Sequence, residues 1–309
     1  MTLKSIPEIQ RKNFRPPFDW WDFFKDADRH AFRFDASDFD MLNAWWLVEV
    51  ATLAYSEPDF ARSTFARAGL PEVRFFDGKS TQCYVAGNDD FIIVAFRGTE
   101  LRSRGEHAMA YDVLVDIQIN LVPDEGGGRT HSGFRKAVDE IWQDREEEGQ
   151  HITGLKTSLD QLLERRGRPI WFTGHSLGAA VATLAARRYG TARGLYAFAS
   201  PRVGDAEYRD RFSIPSYRFA NDKDIVPHLP PEGLYQHVGS LKFIDAAHRV
   251  GDEETNAPGG VLSALFDEIR EITTQRGKGD VFSLPDWMIH HVPVLYCVHI
   301  WNNYIQQQG

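Results

Sequence analysis

Five consecutive residues, 174–178, read Gly-His-Ser-Leu-Gly and match the G-x-S-x-G pattern of a nucleophile elbow. The apolar run 169–173 before them predicts a strand, and the Ala-rich run 179–186 after them predicts a helix. A turn this tight strains the serine backbone and needs small flanking residues. At the start of a helix, backbone N–H groups also stabilise developing negative charge. The context therefore predicts Ser176 as a nucleophile, against the alternative of an ordinary capping serine.

A serine nucleophile needs a general base, usually histidine, which a carboxylate orients. Where this elbow occurs, the chain order is Ser, then Asp or Glu, then His. Asp222 and Asp224 follow a predicted strand downstream of the elbow, and His290 and His291 lie near the end of the chain. This order predicts acyl transfer through a Ser-His-Asp triad, with the choice within each pair open.

Strand-like and helical segments alternate along much of the chain, which predicts a mostly parallel central sheet covered by helices on both faces. Together with the elbow, this predicts an α/β-hydrolase fold. We expect one domain over residues 1–309. The predicted strands are 73–76, 81–85, 91–96, 170–173, 195–199 and 217–220, and the predicted helices are 134–142, 152–165 and 177–189.

The first part of the chain, residues 1–70, differs in character from the rest. Residues 1–35 are rich in aromatic side chains, and residues 38–68 have apolar positions at helical spacing, broken by Pro58. This pattern predicts a helical and aromatic arm packed on the domain. A patch that contacts lipid is the alternative for the aromatic residues.

Composition limits the classes of partner. The 309 residues carry a formal net charge of −9, which argues against nucleic acid and against anionic membrane surfaces. Two cysteines are too few for a disulfide framework, and the histidines form no His-Glu-x-x-His motif, so we expect no metal and no organic cofactor. We see no transmembrane segment and no signal peptide. The default expectation is a cytoplasmic protein, with secretion from a longer precursor left open.

Four segments in register carry a resemblance to a known family. They are 96–99 (Phe-Arg-Gly-Thr), 131–134 (His-Ser-Gly-Phe), the elbow with 200–204 (Ser-Pro-Arg-Val-Gly) downstream, and 224–227 (Asp-Ile-Val-Pro). In this order they resemble the class 3 lipase family, the fungal-type triacylglycerol lipases and their bacterial and plant relatives. The resemblance covers roughly residues 70–300.

The resemblance implies roles for particular residues. It implies that Asp224 is the triad acid, with Asp222 as the rival, and that His291 is the base. In the family an Asp commonly precedes the catalytic His and a Tyr follows it; here His290 occupies the Asp position, so His290 and His299 stay as alternatives. It also implies an oxyanion hole from the backbone N–H groups of Thr99 and Leu177.

The implied function is hydrolysis of carboxylic esters of lipids, as by a triacylglycerol lipase or carboxylesterase, through an acyl-enzyme. The substrate would be a lipid or another ester, met at an oil–water interface or in solution. The alternatives are a phospholipase A1, a feruloyl-type esterase, an acyltransferase that uses an alcohol in place of water, and a non-catalytic lipase-like interaction protein.

In the family, the segment after the oxyanion residue often forms a lid, which here would be residues 100–111. This segment has only a weakly amphipathic pattern, and Gly105 lowers its helix propensity. A lid with little apolar inner area gains little from opening at an oil surface, where burial is worth about 25 cal/mol per Å². We therefore expect a mobile lid with weak or absent interfacial activation. A fixed surface loop is the alternative.

Overall fold

The computed structural model describes residues 2–8, 16–98, 120–254 and 286–308. Its strands are β1 (Glu72–Asp77), β2 (Gln82–Gly87), β3 (Ile92–Phe96), β4 (Leu121–Pro123), β5 (Arg129–His131), β6 (Arg145–Glu147), β7 (Gln150–Ile152), β8 (Ile170–His175), β9 (Gly194–Phe198), β10 (Ser216–Asn221), β11 (Ser240–Ile244) and β12 (Val250–Gly251). Its helices are α1 (Met41–Leu53), α2 (Pro58–Arg67), α3 (Ser132–Trp142), α4 (Leu155–Arg165), α5 (Leu177–Tyr189), α6 (Ala206–Asp210), α7 (Asp286–His290) and α8 (Pro293–Gln307), with a short 3-10 helix at Val226–His228.

Eight strands form the central sheet, in the order β1-β2-β3-β8-β9-β10-β11-β12. The neighbouring strands β3, β8, β9, β10 and β11 pair in parallel. At the two edges of the sheet, β1 pairs antiparallel with β2, β2 with β3, and β12 with β11. Parallel neighbours need crossover connections, and helices supply them, as α5 does between β8 and β9. The prediction of a mostly parallel sheet is confirmed.

Each face of the sheet has its own hydrophobic core, because successive strand residues point to opposite sides. Ile93 and Ala95 of β3 join a cluster that contains α1 and α8. Ile92, Val94 and Phe96 of the same strand join a second cluster that contains α3, α4 and α5. Helices therefore cover both faces, as predicted for the α/β-hydrolase fold.

Helix α1 lies between the sheet and α8, and all of its residues are buried. Its first turn is capped by Asp40, whose side chain accepts a hydrogen bond from the Asn43 N–H at 2.9 Å. The aromatic rings of Phe18, Phe23 and Phe24, from the segment before α1, lie in the same core. A helix that is hydrophobic on every side fits this central position.

The sequence patterns missed a small hairpin between α3 and α4. Residues 145–147 and 150–152 pair as β6 and β7, so the predicted helix 152–165 begins at Leu155 instead. Asp144 accepts a hydrogen bond from the Gly154 N–H at 2.7 Å and thereby closes the hairpin onto the start of α4. Among the described residues, no helix is long and apolar enough to cross a bilayer.

Candidate active site

The elbow is a sharp turn from β8 into α5. Ser176 has φ 59° and ψ −132°, a conformation that side-chain-bearing residues rarely adopt. Its N–H donates to the Phe198 carbonyl of β9 at 2.9 Å, which holds the strained residue against the sheet. A Cβ on Gly174 would overlap the Gly178 carbonyl, and one on Gly178 would overlap the Phe96 carbonyl. The two glycines therefore allow β8, α5 and the end of β3 to approach closely.

Ser176, His291 and Asp224 lie within hydrogen-bonding reach of one another. His291 Nε2 is 2.9 Å from Ser176 Oγ. On the other side of the ring, His291 Nδ1 is 3.0 Å from Asp224 Oδ1 and 2.9 Å from Oδ2. The three side chains come from 48 to 115 residues apart in sequence, since Asp224 follows β10 and His291 lies between α7 and α8. This order of contacts is that of a nucleophile, a base and an orienting acid.

Asp224 is held by main-chain and side-chain donors in a buried position. It is 1% exposed, and its Oδ1 accepts from the Val226 N–H at 3.0 Å. The hydroxyl of Tyr296, on α8, donates to Oδ2 at 2.7 Å. Burial and the Asp224 charge both raise the pKa of Tyr296 well above its ordinary value, so this hydroxyl keeps its proton and remains a donor.

Leu177 is the first residue of α5 and directly follows the nucleophile. The first N–H groups of a helix have no partner within it and can therefore bind an anion. Thr99 and the predicted lid 100–111 lie outside the described residues. Gly98 is the last described residue before Thr99. A Cβ on Gly178 would be in close contact with the Gly98 backbone nitrogen. The end of β3 therefore meets the start of α5.

The alternative bases His290 and His299, and His131 of the segment 131–134, occupy other positions. His290 is the last residue of α7, and its carbonyl accepts from Asn221 Nδ2 at 2.8 Å. His299 lies on α8, where its ring stacks on His248 with centroids 4.3 Å apart. His131 caps α3, because its Nδ1 accepts from the Gly133 N–H at 3.1 Å. In the part of the chain that the structure describes, no group of three or more His, Cys, Asp or Glu residues could hold a metal ion.

The sequence reasoning did not assign roles to three polar residues that touch this site: Tyr296, Asn221 and His175. Tyr296 corresponds to the Tyr that follows the catalytic His in the family. His175 occupies a variable position of the elbow pattern, but its Nε2 is 2.8 Å from the His291 carbonyl. A polar residue at the buried end of an apolar strand was a signal that could have found it.

Comparison with known proteins finds similarity to lipases. The family model described as lipase (class 3) matches residues 93–234. A lipase from Rhizomucor miehei is 35% identical over 40% of this chain and 34% of its own length. A secreted mono- and diacylglycerol lipase from Gibberella zeae is 26% identical over 64% of this chain and 69% of its own. The phospholipase A1-II 6 of rice (Oryza sativa subsp. japonica) is 28% identical over 50% of this chain and 44% of its own. The match thus spans from about a third to about two thirds of these relatives.

Solved structures agree on the fold. A triacylglycerol lipase with a serine-protease triad in its catalytic centre matches with a TM-score of 0.53 at 23% identity, over 71% of this chain and 88% of its own. At this identity the likeness concerns the fold alone.

Proposed function

Because the chain belongs to the class 3 lipase family, we propose that it hydrolyses carboxylic esters of lipids, with Ser176 as nucleophile, His291 as base and Asp224 as orienting acid. The observation that carries the proposal is the position of His291 Nε2, 2.9 Å from Ser176 Oγ, while its Nδ1 faces Asp224. A general base must lie within hydrogen-bond reach of the proton that it abstracts, and this one does.

In the first half-reaction Ser176 Oγ attacks the ester carbonyl carbon, and its proton passes to His291 Nε2. Asp224 keeps the Nδ1 proton facing it, so that Nε2 carries the lone pair, and it stabilises the imidazolium that forms. The tetrahedral intermediate then collapses, the C–O bond to the alcohol breaks, and His291 returns its proton to the leaving alcohol oxygen. The product is an acyl ester of Ser176.

In the second half-reaction a water molecule attacks the acyl-enzyme while His291 again accepts a proton. Collapse of the second intermediate releases the carboxylic acid and restores the Ser176 hydroxyl. In both steps we propose that the Leu177 and Thr99 backbone N–H groups bind the oxyanion, an interaction worth about 3 kcal/mol per donor. No metal or organic cofactor enters these steps.

Phospholipase A1 activity is the second candidate for the substrate. The observation that favours it is the similarity to the rice phospholipase A1-II 6 over half of this chain. Both candidates use the same acyl-transfer chemistry and differ only in the alcohol that leaves. The expected lid at residues 100–111, with weak interfacial activation, stays a prediction because it lies outside the described residues.

A fluorophosphonate probe tests the nucleophile directly, because it labels a serine that a neighbouring base activates. We expect the wild-type protein to label and Ser176→Ala to lose both labelling and hydrolysis of p-nitrophenyl butyrate. The matched control is Ser200→Ala, since Ser200 is also buried but its hydroxyl donates to the Pro201 carbonyl, at 3.0 Å. Labelling of folded Ser176→Ala at the wild-type rate would overturn the assignment.

Substrate class is decided by a panel of emulsified triacylglycerol, monoacylglycerol and phosphatidylcholine, each assayed for released fatty acid with Ser176→Ala as the blank. Release from the glycerides alone supports the lipase proposal. Release of the sn-1 fatty acid from phosphatidylcholine at a higher rate would assign the phospholipase instead. No release from any ester by protein that is folded would leave a lipase-like scaffold without turnover.

A further inference from the structure

A chain of buried polar contacts runs from α1 to the backbone of the proposed base. Tyr55 follows α1, and its hydroxyl is 3.0 Å from His175 Nδ1. His175 is the last residue of β8, and its Nε2 is 2.8 Å from the main-chain carbonyl of His291. The rings of His175 and His291 lie 4.7 Å apart between centroids. Neither Tyr55 nor His175 reaches Ser176 Oγ through a hydrogen bond in this arrangement.

The direction of each hydrogen bond in this chain follows from its last member. A carbonyl oxygen can only accept, so the His175 Nε2 must carry a hydrogen and donate to the His291 carbonyl. In a neutral ring the Nδ1 then has the lone pair and accepts from the Tyr55 hydroxyl. Each polar atom of the His175 side chain therefore has one partner of the correct kind.

The surroundings keep this ring neutral. His175 is 2% exposed, and burial together with the nearby His291 holds its pKa well below the ordinary value, against the opposing effect of the His291 carbonyl. Burial likewise raises the pKa of Tyr55, although the charge of Arg97 and the hydrogen-bonding Gly98 backbone act in the opposite direction. The His175 ring therefore stays neutral, and the Tyr55 hydroxyl keeps its proton, over the pH range in which an esterase works.

The His291 backbone has a second anchor on the adjacent carbonyl. Asn221, at the end of β10, donates from its Nδ2 to the His290 carbonyl at 2.8 Å. The His291 N–H donates to the Trp287 carbonyl at 3.0 Å. Two consecutive carbonyls at the end of α7 are therefore held by side chains from two different strands of the rigid central sheet.

The Tyr55 hydroxyl also touches the strand end that leads to the proposed oxyanion residue. A Cβ on Gly98 would overlap that hydroxyl, so the backbone of Gly98 rests directly against it. One buried tyrosine thus contacts both the ring that holds the base and the segment that precedes Thr99.

We infer that His175, oriented by Tyr55, is a positioning residue that fixes the His291 backbone and thereby keeps His291 Nε2 at attack distance from Ser176 Oγ. The inference rests on the proposed function. Its reason is geometric, because a misplacement of about 1 Å in a reacting group can cost about 100-fold in rate. Because the His175 side chain is only 2% exposed, we expect its substitution to change kcat and to leave KM nearly unchanged.

Three substitutions distinguish the loss of the His175 hydrogen-bond donor from the loss of the volume of its ring. His175→Leu removes the donor to the His291 carbonyl, and we expect kcat on p-nitrophenyl butyrate to fall about 100-fold with KM within about two-fold. His175→Gln carries an amide N–H near the former Nε2 position, and we expect it to recover at least about ten-fold of that loss. Tyr55→Phe frees the ring to take the other tautomer, and we expect an intermediate loss of about ten-fold.

The matched control is Tyr84→Phe. Tyr84 is also fully buried, and its hydroxyl donates to the Ser56 carbonyl at 2.9 Å, one residue away from Tyr55. A general loss of packing or stability would lower the activity of Tyr84→Phe and Tyr55→Phe alike, whereas loss of positioning affects only Tyr55→Phe. Thermal unfolding of each variant shows which of them are folded.

The outcomes separate this inference from the proposed function. Absence of fluorophosphonate labelling in the wild type overturns the proposed function and the inference together. If the wild type labels, a folded His175→Leu with kcat within about two-fold of wild type overturns the inference alone. If His175→Leu does not fold, Tyr55→Phe decides, because a kcat equal to that of Tyr84→Phe overturns the inference and a ten-fold lower kcat supports it.

Discussion

The hydroxyl of Tyr296 donates to Asp224 Oδ2 at 2.7 Å, and the same carboxylate oxygen faces His291 Nδ1 at 2.9 Å. With the Val226 N–H on Oδ1, the buried carboxylate has a donor for each oxygen besides the imidazole. His291 directly precedes Val292, the N-cap of α8, and Tyr296 lies in the first turn of that helix, so both partners of the acid come from the start of α8.

Tyr296→Phe removes one donor from Asp224 and leaves the aromatic packing in place. We expect kcat to fall about ten-fold, since a hydrogen bond to a charged group contributes about 1.5 to 3 kcal/mol and about 1.4 kcal/mol of that, used in orienting the carboxylate, corresponds to a factor of ten. Steady-state kinetics on a soluble nitrophenyl ester measure it. Tyr304→Phe is the control on the same helix, because the Tyr304 hydroxyl pairs with His30 and not with the triad. Equal kcat for the two variants would show that Asp224 needs no help from Tyr296.

The adjacent histidines should differ sharply when each is replaced by alanine. His291→Ala removes the ring next to Ser176 Oγ, and we expect turnover to fall by about three or more orders of magnitude, the scale of losing a triad member. His290→Ala keeps the main-chain carbonyl that Asn221 contacts, so we expect a loss of less than about ten-fold. Single-turnover acylation rates measure both. The opposite ranking would place the base at His290.

The elbow could be predicted from the sequence because every local signal there agrees. An apolar strand, two glycines around Ser176 and an Ala-rich run all favour one strand–turn–helix, and the helix Leu177–Tyr189 has the predicted bounds. The pairing of His291 with Asp224 in the structure likewise follows the chain order and the family resemblance.

Other features could not be predicted because the information lies in tertiary contacts. The strands β6 and β7 are mostly exposed and carry charged residues, so they lack the alternating apolar pattern that marks a half-buried strand. The contact of His175 with Tyr55 joins residues 120 positions apart, and nothing local distinguishes Tyr55 from the other aromatic residues near α1. The role of Thr99 as an oxyanion residue stays a prediction, because Thr99 lies outside the described residues.

Buried histidines should make the protein sensitive to acid, and His299 allows this to be measured away from the proposed site. Burial, with the neighbouring His248 and His290, lowers the pKa of His299 to about 3 in the folded protein. Because an unfolded histidine titrates near 6.5, the unfolded chain binds the proton first as the pH falls. The contribution of neutral, buried His299 to the free energy of unfolding is therefore complete above about pH 6.5, and it is lost progressively as the pH falls toward 3.

His299→Phe removes this proton-linked loss and retains a ring to stack on His248. Between pH 6.5 and pH 4.5 we expect the free energy of unfolding of the wild type to fall by about 2 kcal/mol more than that of the variant, because the slope rises to about 1.4 kcal/mol per pH unit only once the unfolded histidine is fully protonated. Urea unfolding at the two pH values measures it. His151→Phe is the control, since that histidine is largely exposed. Parallel pH dependences for wild type and His299→Phe would refute the assignment.

An ion pair at the N-terminal end of the described chain is unusually enclosed. Lys4 Nζ lies 3.2 Å from Glu49 Oε1, with side-chain exposures of 12% and 0%. The ammonium lies over the rings of Trp21, Trp45 and Trp301, at 5.0, 5.2 and 5.0 Å from their centroids. The same indole groups of Trp21 and Trp45 donate to the Glu49 carboxylate at 2.9 and 3.0 Å. The segment before α1 is thereby tied to the middle of that helix.

Lys4→Met should destabilise the fold strongly, because Lys4 is the cation that pairs with the buried Glu49 carboxylate in the described part of the chain. We expect a loss of about 3 kcal/mol in the free energy of unfolding. For Lys156→Met we expect a loss of less than about 0.5 kcal/mol, because Lys156 and Asp160 form an exposed i,i+4 ion pair. The double variant Lys4→Met with Glu49→Gln should recover at least about 1 kcal/mol relative to the sum of the single losses, since the uncompensated charge is then gone. Urea unfolding of the four proteins in this cycle, with Lys156→Met beside them, gives each value. If Lys4→Met costs no more than Lys156→Met, the ammonium contributes nothing beyond an ordinary surface pair, and the aromatic rings hold this segment through apolar packing alone.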